Sequence, residues 1–249
     1  MTLRLLSATA LTAMLALPVQ ALDLDKMSDA DRDAFRAEIR AYLLENPEVI
    51  MEAVAVLEQR QADAQAQSDV DLVKANAEDI FNDGHSWVGG NPDGDITLVE
   101  FMDYRCGFCK RAYTEVETLL ETDGNIRFIV KEFPILGEES MLASRFAIAT
   151  QQTLGDEAYK SVHDALIAFN GAITEDALSR IADAMGLDAA SILDHMESDE
   201  VTEVIRENHA LAQRLSISGT PSFVMANQML RGYAPAQDMQ RMADEIRTQ

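Results

Sequence analysis

Cysteine is almost absent from this chain: Cys106 and Cys109 are the two thiols among 249 residues. That scarcity excludes a framework of several disulfides and a zinc site closed by four thiolates. Basic residues are also few, 20 Lys and Arg against 43 Asp and Glu, which leaves a net charge of −23. Without basic patches to neutralise phosphates, nucleic acid is not an expected partner. Beyond the first 21 residues no apolar run is long enough to span a bilayer. Glycine and cysteine are wholly missing from residues 28–82, a stretch rich in Ala, Glu, Gln and Asp. With no turn-forming glycine there, that stretch reads as helix.

What is present divides the chain into three. Residues 1–21 combine Arg4, the uncharged apolar stretch "LLSATALTAMLALPV" and the small residues of "VQA", the pattern of a cleavable signal peptide. Export is therefore expected, and an oxidising compartment lets two cysteines pair. Residues 22–82 form a helical N-terminal segment. Phe35, Ile39, Tyr42 and Leu43 share one face, and Ile50, Val54, Leu57, Gln61 and Ala64 another, with Asn46 as expected cap and Pro47 as first residue of the second helix. A narrow apolar stripe on a polar helix either seeks a partner helix or lies back on the main domain. Residues 28–70 are thus a candidate homo-oligomerisation segment.

The remaining residues, 83–249, have α/β texture. "NDGHSWVGGNPDGD" (82–95) reads as turns and a domain junction. Strand-type runs follow at 96–102 and 126–135, with a helix over 107–121 between them. A block of five helices comes next, then the strand-type "PSFVMA" and "MLRGY", and a last helix from Pro235 to about Arg247. This order argues for an α/β fold with a helical insertion.

"FMDYRCGFCKRAY" places both cysteines where a strand gives way to a helix. At a helix N-terminus, free amides and the positive end of the dipole stabilise a thiolate, so Cys106 reads as the nucleophile. Arg105, Lys110 and Arg111 add local positive charge. Cys109, one turn on, reads as the resolving thiol that attacks a mixed disulfide at Cys106. Two other readings stay open: copper(I) held by the soft thiolate pair, as in a metal carrier, and a structural disulfide, whose small loop offers little entropic gain. The four histidines are far apart in sequence, so no zinc ligand set is expected.

Glu100 lies six residues before Cys106 in an otherwise apolar strand. Buried, it would have a raised pKa and could relay the proton of Cys109; on an alternating strand it would simply face water. "SGTPSF" (218–223) puts Pro221 just ahead of a strand, where a cis Thr220–Pro221 bond suits a tight turn. The Thr220 backbone would then be free to pair with an extended polypeptide.

The stretches "VEFMDYRCGFCK", "KEFPILG" and "SGTPSF", with the helical insertion, resemble the thioredoxin-fold, DsbA-like thiol–disulfide oxidoreductases of the bacterial cell envelope. "NPDGDITLVEF" and "IRAYLLENPEVIMEA" are similar to the ScsC-like and Com1-like branch, which carries N-terminal helices. The resemblance implies a thioredoxin fold and a redox-active Cys106–Cys109 disulfide. It also implies a cis-proline at Pro221 with Thr220 before it in substrate binding, cysteine-containing protein substrates, a membrane or periplasmic redox partner, and no organic cofactor. In some members of that branch the N-terminal helices build trimers that act as disulfide isomerases. One departure matters: DsbA proper has Pro-His between its cysteines, and this chain has Gly107-Phe108. A less extreme thiolate and a milder oxidant are expected. Thr220 also tilts the comparison toward the isomerase-like members.

Overall fold

Ser28, whose hydroxyl accepts a hydrogen bond from the Asp31 amide, starts the first helix of the computed structural model, which describes residues 27–248. The expected signal peptide, residues 1–21, lies outside the described residues. Helix α1 (Asp29–Glu45) is followed by α2 (Glu48–Ala75) and the short α3 (Ala77–Phe81). Asn46 serves both helices: its carbonyl accepts from the Val49 amide in the first turn of α2 (3.2 Å), while its side chain caps α1. Its backbone N–H and its side-chain amide both donate to the Tyr42 carbonyl, so the asparagine closes the first helix and Pro47 turns the chain before Glu48.

The chain forms two compact units, one ending at Gln59 and the other starting at Arg60. This differs from the junction expected near residue 82, and packing supplies the reason. Leu72, Val73, Ile80 and Phe81 join a core cluster with Val99, Phe101, Ile129 and Val224 of the sheet. Asp69 of α2 also accepts a hydrogen bond of 2.9 Å from Arg231. The polar residues that make the end of α2 read as a tail are its solvent side.

In the second unit, β1 (Trp87–Gly90) and β2 (Ile96–Met102) lead into α4 (Gly107–Asp123) and β3 (Ile126–Glu132). The inserted helices are α5 (Glu138–Leu154), α6 (Asp156–Ala168), α7 (Glu175–Ala184), α8 (Ala189–His195) and α9 (Asp199–Arg214). The hairpin β4 (Ser222–Met225) and β5 (Gln228–Arg231) then precedes α10 (Ala236–Arg247). The sheet order is β1-β3-β2-β4-β5, with β2 and β3 parallel and the other pairs antiparallel.

Strand β1 falls inside the stretch expected to be turns. Gly89 is the reason a glycine-rich tetrapeptide can pair there: a Cβ at Gly89 would meet the Trp87 indole at 2.0 Å. With that space open, the indole packs over the strand and stacks on Tyr159, ring centroids 5.7 Å apart.

Alternation along the strands divides the sheet's residues between two faces. Leu98, Met102, Phe128, Val130 and Phe223 face α4, α5, α6 and α10, in the cluster that also holds both cysteines. Glu100 and Glu132 occupy the same alternating positions as these residues. Phe101, Ile129, Phe133 and Val224 face the other way, with α3 and the end of α9. Strands β2 and β3 bury nearly every residue on both sides, which explains their continuous apolar runs.

Candidate functional site

Asp103 builds the turn from β2 into α4. Its carboxylate accepts from the Arg105 amide (2.7 Å), the Ser140 hydroxyl (2.8 Å), and the amides of Ile135 (2.8 Å) and Leu136 (3.1 Å). Four donors on one fully buried carboxylate hold the loop so that Cys106 becomes the N-cap of α4. The Cys106 sulfur there accepts from the Cys109 amide at 3.4 Å. Both cysteines are free thiols and both are buried.

Their acidities diverge. A hydrogen bond from Cys109 pulls Cys106 down to about 5, opposed by burial and helped by Thr220 and by the amides of Cys109 and Phe108. Burial pushes Cys109 far up, reinforced by its bond to Cys106 and by the charge of Glu100. The flanking cations contribute differently from the sequence expectation. Arg105 pairs with Glu139 (3.2 Å) and donates to the Gly171 carbonyl (3.0 Å), while Lys110 donates to the Phe169 carbonyl. Hydrogen bonds at the helix start, rather than nearby positive charge, lower the thiol.

Glu100 is 5% exposed, so the reading in which it faces water does not hold. Burial raises its carboxyl to about 8, with further push from the Cys106 thiolate and from Glu132. Thr220–Pro221 is a cis peptide, as the sequence suggests, and it lies against the cysteines: the Thr220 carbonyl oxygen is 3.2 Å from the Cys106 sulfur. The structure thus brings Cys106, Thr220 and Pro221 together from segments more than a hundred residues apart, with Glu100 on the cysteine-bearing face.

Phe108 and Arg111, noted in the sequence for the motif and its charge, have neighbours that the sequence did not single out: Leu136, Tyr233 and Glu132. Phe108 and Leu136 are 54% and 53% exposed, and the Arg111 guanidinium lies 4.3 Å over Phe108 and 5.6 Å from Tyr233. Glu132 sits at the end of β3 amid hydroxyls of Tyr104, Tyr159 and Ser144. Among the described residues no group of three or more His, Cys, Asp or Glu side chains is arranged to hold a metal ion.

A dithiol at the start of a helix, beside a cis-proline loop and on a central parallel strand pair, defines a thioredoxin-fold protein of the thiol–disulfide type. Residues 97–247 match the DSBA-like thioredoxin domain, and the chain belongs to the DsbA-like thiol–disulfide oxidoreductase family. Residues 31–64 match the copper resistance protein ScsC N-terminal domain. A thioredoxin-like oxidoreductase from Silicibacter pomeroyi DSS-3 is 41% identical, with a TM-score of 0.66, covering 70% of this chain and 99% of that one. BcfH of Salmonella enterica Typhimurium is 31% identical, with a TM-score of 0.71, covering 86% and 94%. Among curated proteins, the Na(+)/H(+) antiporter NhaA 1 of Salinispora arenicola is 27% identical over 146 residues, 58% of this chain and 22% of that protein. The chain spans about a fifth of the length of the first curated relatives it matches.

Proposed function

We propose that this protein is an exported oxidoreductase that exchanges disulfides with cysteine-containing protein substrates through Cys106-Gly107-Phe108-Cys109. The observation that carries the reading is the split within the pair. One thiol ionises near pH 5 at the mouth of a helix; its partner stays protonated one turn deeper.

In the reducing direction the Cys106 thiolate attacks a substrate disulfide. A bond forms between Cys106 and one substrate sulfur, and the other leaves with the electron pair and takes up a proton. Cys109 then gives its proton to Glu100 and attacks Cys106. The Cys106–Cys109 disulfide forms, the second substrate sulfur leaves as a thiolate, and the cysteine pair has been oxidised by two electrons. Oxidation of a substrate dithiol is the same sequence reversed, after which a periplasmic or membrane redox partner restores the pair. If a second substrate thiol attacks first, the mixed disulfide resolves as an isomerisation. The chain supplies every group these steps use, without an organic cofactor.

Substrate binding follows from the surroundings of the thiol. Thr220, ahead of Pro221, offers backbone groups to an extended chain, and Phe108, Leu136 and Tyr233 offer apolar surface beside it. Export rests on the pattern of residues 1–21; N-terminal sequencing of the mature protein is expected to begin at Leu22, and a chain that keeps Arg4 would contradict it. The oligomerisation reading for residues 28–70 is supported by the exposed apolar side chains of Phe35, Ile39, Tyr42, Leu44, Ile50, Met51, Val54, Val56 and Leu57. Insulin reduction and refolding of a scrambled disulfide substrate test the activity itself. Cys106→Ser is expected to abolish both, and a variant that keeps either at wild-type rate would refute the assignment.

A further inference from the structure

Glu132 is a buried carboxyl that the exchange steps leave unused. It is 3% exposed and lies on the cysteine-bearing face of the sheet, diagonal to Glu100. Parallel pairing sets Glu100 against Val130 and Met102 against Glu132, so the two carboxyls are successive same-face positions on adjacent strands. Three hydroxyls hold it. Tyr104 and Tyr159 each donate to Oε1 at 2.7 Å, and Ser144 donates to Oε2 at 2.8 Å. The Tyr104 oxygen lies 3.0 Å from His163 Nδ1. With its own proton committed to Glu132, that oxygen accepts from Nδ1–H of a neutral imidazole, and burial, which lowers His163 to about 4, keeps the ring neutral.

We propose that Glu132 is a positioning residue for disulfide exchange: its charge, held by Tyr104, Tyr159 and Ser144 beside Glu100, sets how readily Glu100 takes the proton of Cys109. The inference rests on the reading of Glu100 as the acceptor of that proton. A carboxyl in an apolar interior is usually neutral, and three hydroxyl donors are what an anion there requires. Burial and these donors work against one another and leave Glu132 at about 7. An ionised Glu132 repels a second negative charge on Glu100, and Glu100 in turn faces the cysteines.

The remaining groups around Glu132 leave this coupling in place. Asp103, in the loop after β2, adds a like charge. From α9, Asn208 donates to the Glu132 main-chain carbonyl (3.1 Å), not to its carboxyl. Lys131, next in sequence, points to the opposite face, where it pairs with Asp83. Asp164 and Lys160 act on His163 from α6 with opposing effects. No cation among the described contacts neutralises the Glu132 carboxylate, so its charge acts on Glu100.

The test follows the resolving step from pH 5 to 9. Reduced protein is mixed with oxidised glutathione, and the glutathione adduct on Cys106 is followed by quenched flow as it gives way to the Cys106–Cys109 disulfide. In the wild type the rate rises as Glu100 ionises. Glu132→Gln is expected to move that rise to lower pH by about 0.5–1 unit, about threefold to tenfold faster at the foot of the limb. Tyr159→Phe removes one donor, weakens the Glu132 anion and moves the limb the same way by less; it decides the matter if Glu132→Gln fails to fold. Glu100→Gln is expected to abolish the limb, and Glu132→Gln added to it to change nothing further. A limb that Glu100→Gln removes but the Glu132 and Tyr159 variants leave in place overturns the role of Glu132 alone. A limb that survives Glu100→Gln overturns the reading of Glu100, and this inference with it.

Discussion

Cys106 and Cys109 differ by one helical turn, yet their thiols are displaced in opposite directions. The outer sulfur meets donors that favour its anion, and the inner one meets the protein interior and the charge of Glu100. The absorbance of the thiolate near 240 nm in the reduced protein is therefore expected to titrate with a midpoint near pH 5 and to vanish in Cys106→Ser. A midpoint close to the ordinary 9.0 would contradict it. Glu100 makes the opposite contribution to stability. Its carboxyl is raised from 4.5 to about 8, so the folded state binds more protons than the unfolded one across that window. Stability then falls as pH rises through it, by up to about 1.4 kcal/mol per pH unit. Urea unfolding of the reduced proteins should find Glu100→Gln close to the wild type near pH 4 and more stable than it above pH 8. Equal stability at both ends would show that Glu100 ionises without cost.

At the scale of elements, what was legible in the sequence is what local chemistry dictates. The apolar run of β2 has the bounds 96–102 that its β-branched and aromatic residues suggest. Long-range packing was not legible. Tyr159 reads as one more apolar position on a helix, while its hydroxyl reaches Glu132, 27 residues back in the sequence. Asp103, which no local pattern marks, gathers donors from three separate segments. Asp103→Ala should accordingly cost about 3 kcal/mol or more in chemical unfolding, since it strands buried amides, and loss under 1 kcal/mol would argue against that role. Lys131, fully buried on the opposite face, donates to the Asp79 carbonyl (2.8 Å) and pairs with Asp83. Asp83→Ala leaves that ammonium without its counter-charge and is expected to cost about 3–5 kcal/mol. Together these contacts explain why the segment before β1 belongs to the sheet although Gly84 and the polar residues around it mark it as a junction.

At the scale of the molecule, the described helices of the first unit carry exposed apolar side chains from Phe35 to Leu57, while the second unit buries two cores. An unsatisfied apolar surface of that kind calls for a partner, and a second copy of the same helices would present the same surface. Ile50→Glu with Leu57→Glu in the full chain is expected to lower the sedimenting mass to that of one chain while leaving insulin reduction by a single active site in place; an unchanged mass would sink the oligomerisation reading. Among the described residues no helix is long and apolar enough to cross a membrane. The central claim is that Cys106 makes the covalent bond to substrate and Cys109 breaks it. Its most direct measurement incubates the Cys109→Ser protein with a disulfide-bearing protein substrate and maps the adducts by mass spectrometry under non-reducing conditions. The account predicts a stable mixed disulfide at Cys106, released by dithiothreitol and absent from Cys106→Ser. Adducts on Cys109 in the Cys106→Ser protein at a comparable rate, or none in either variant, would contradict it.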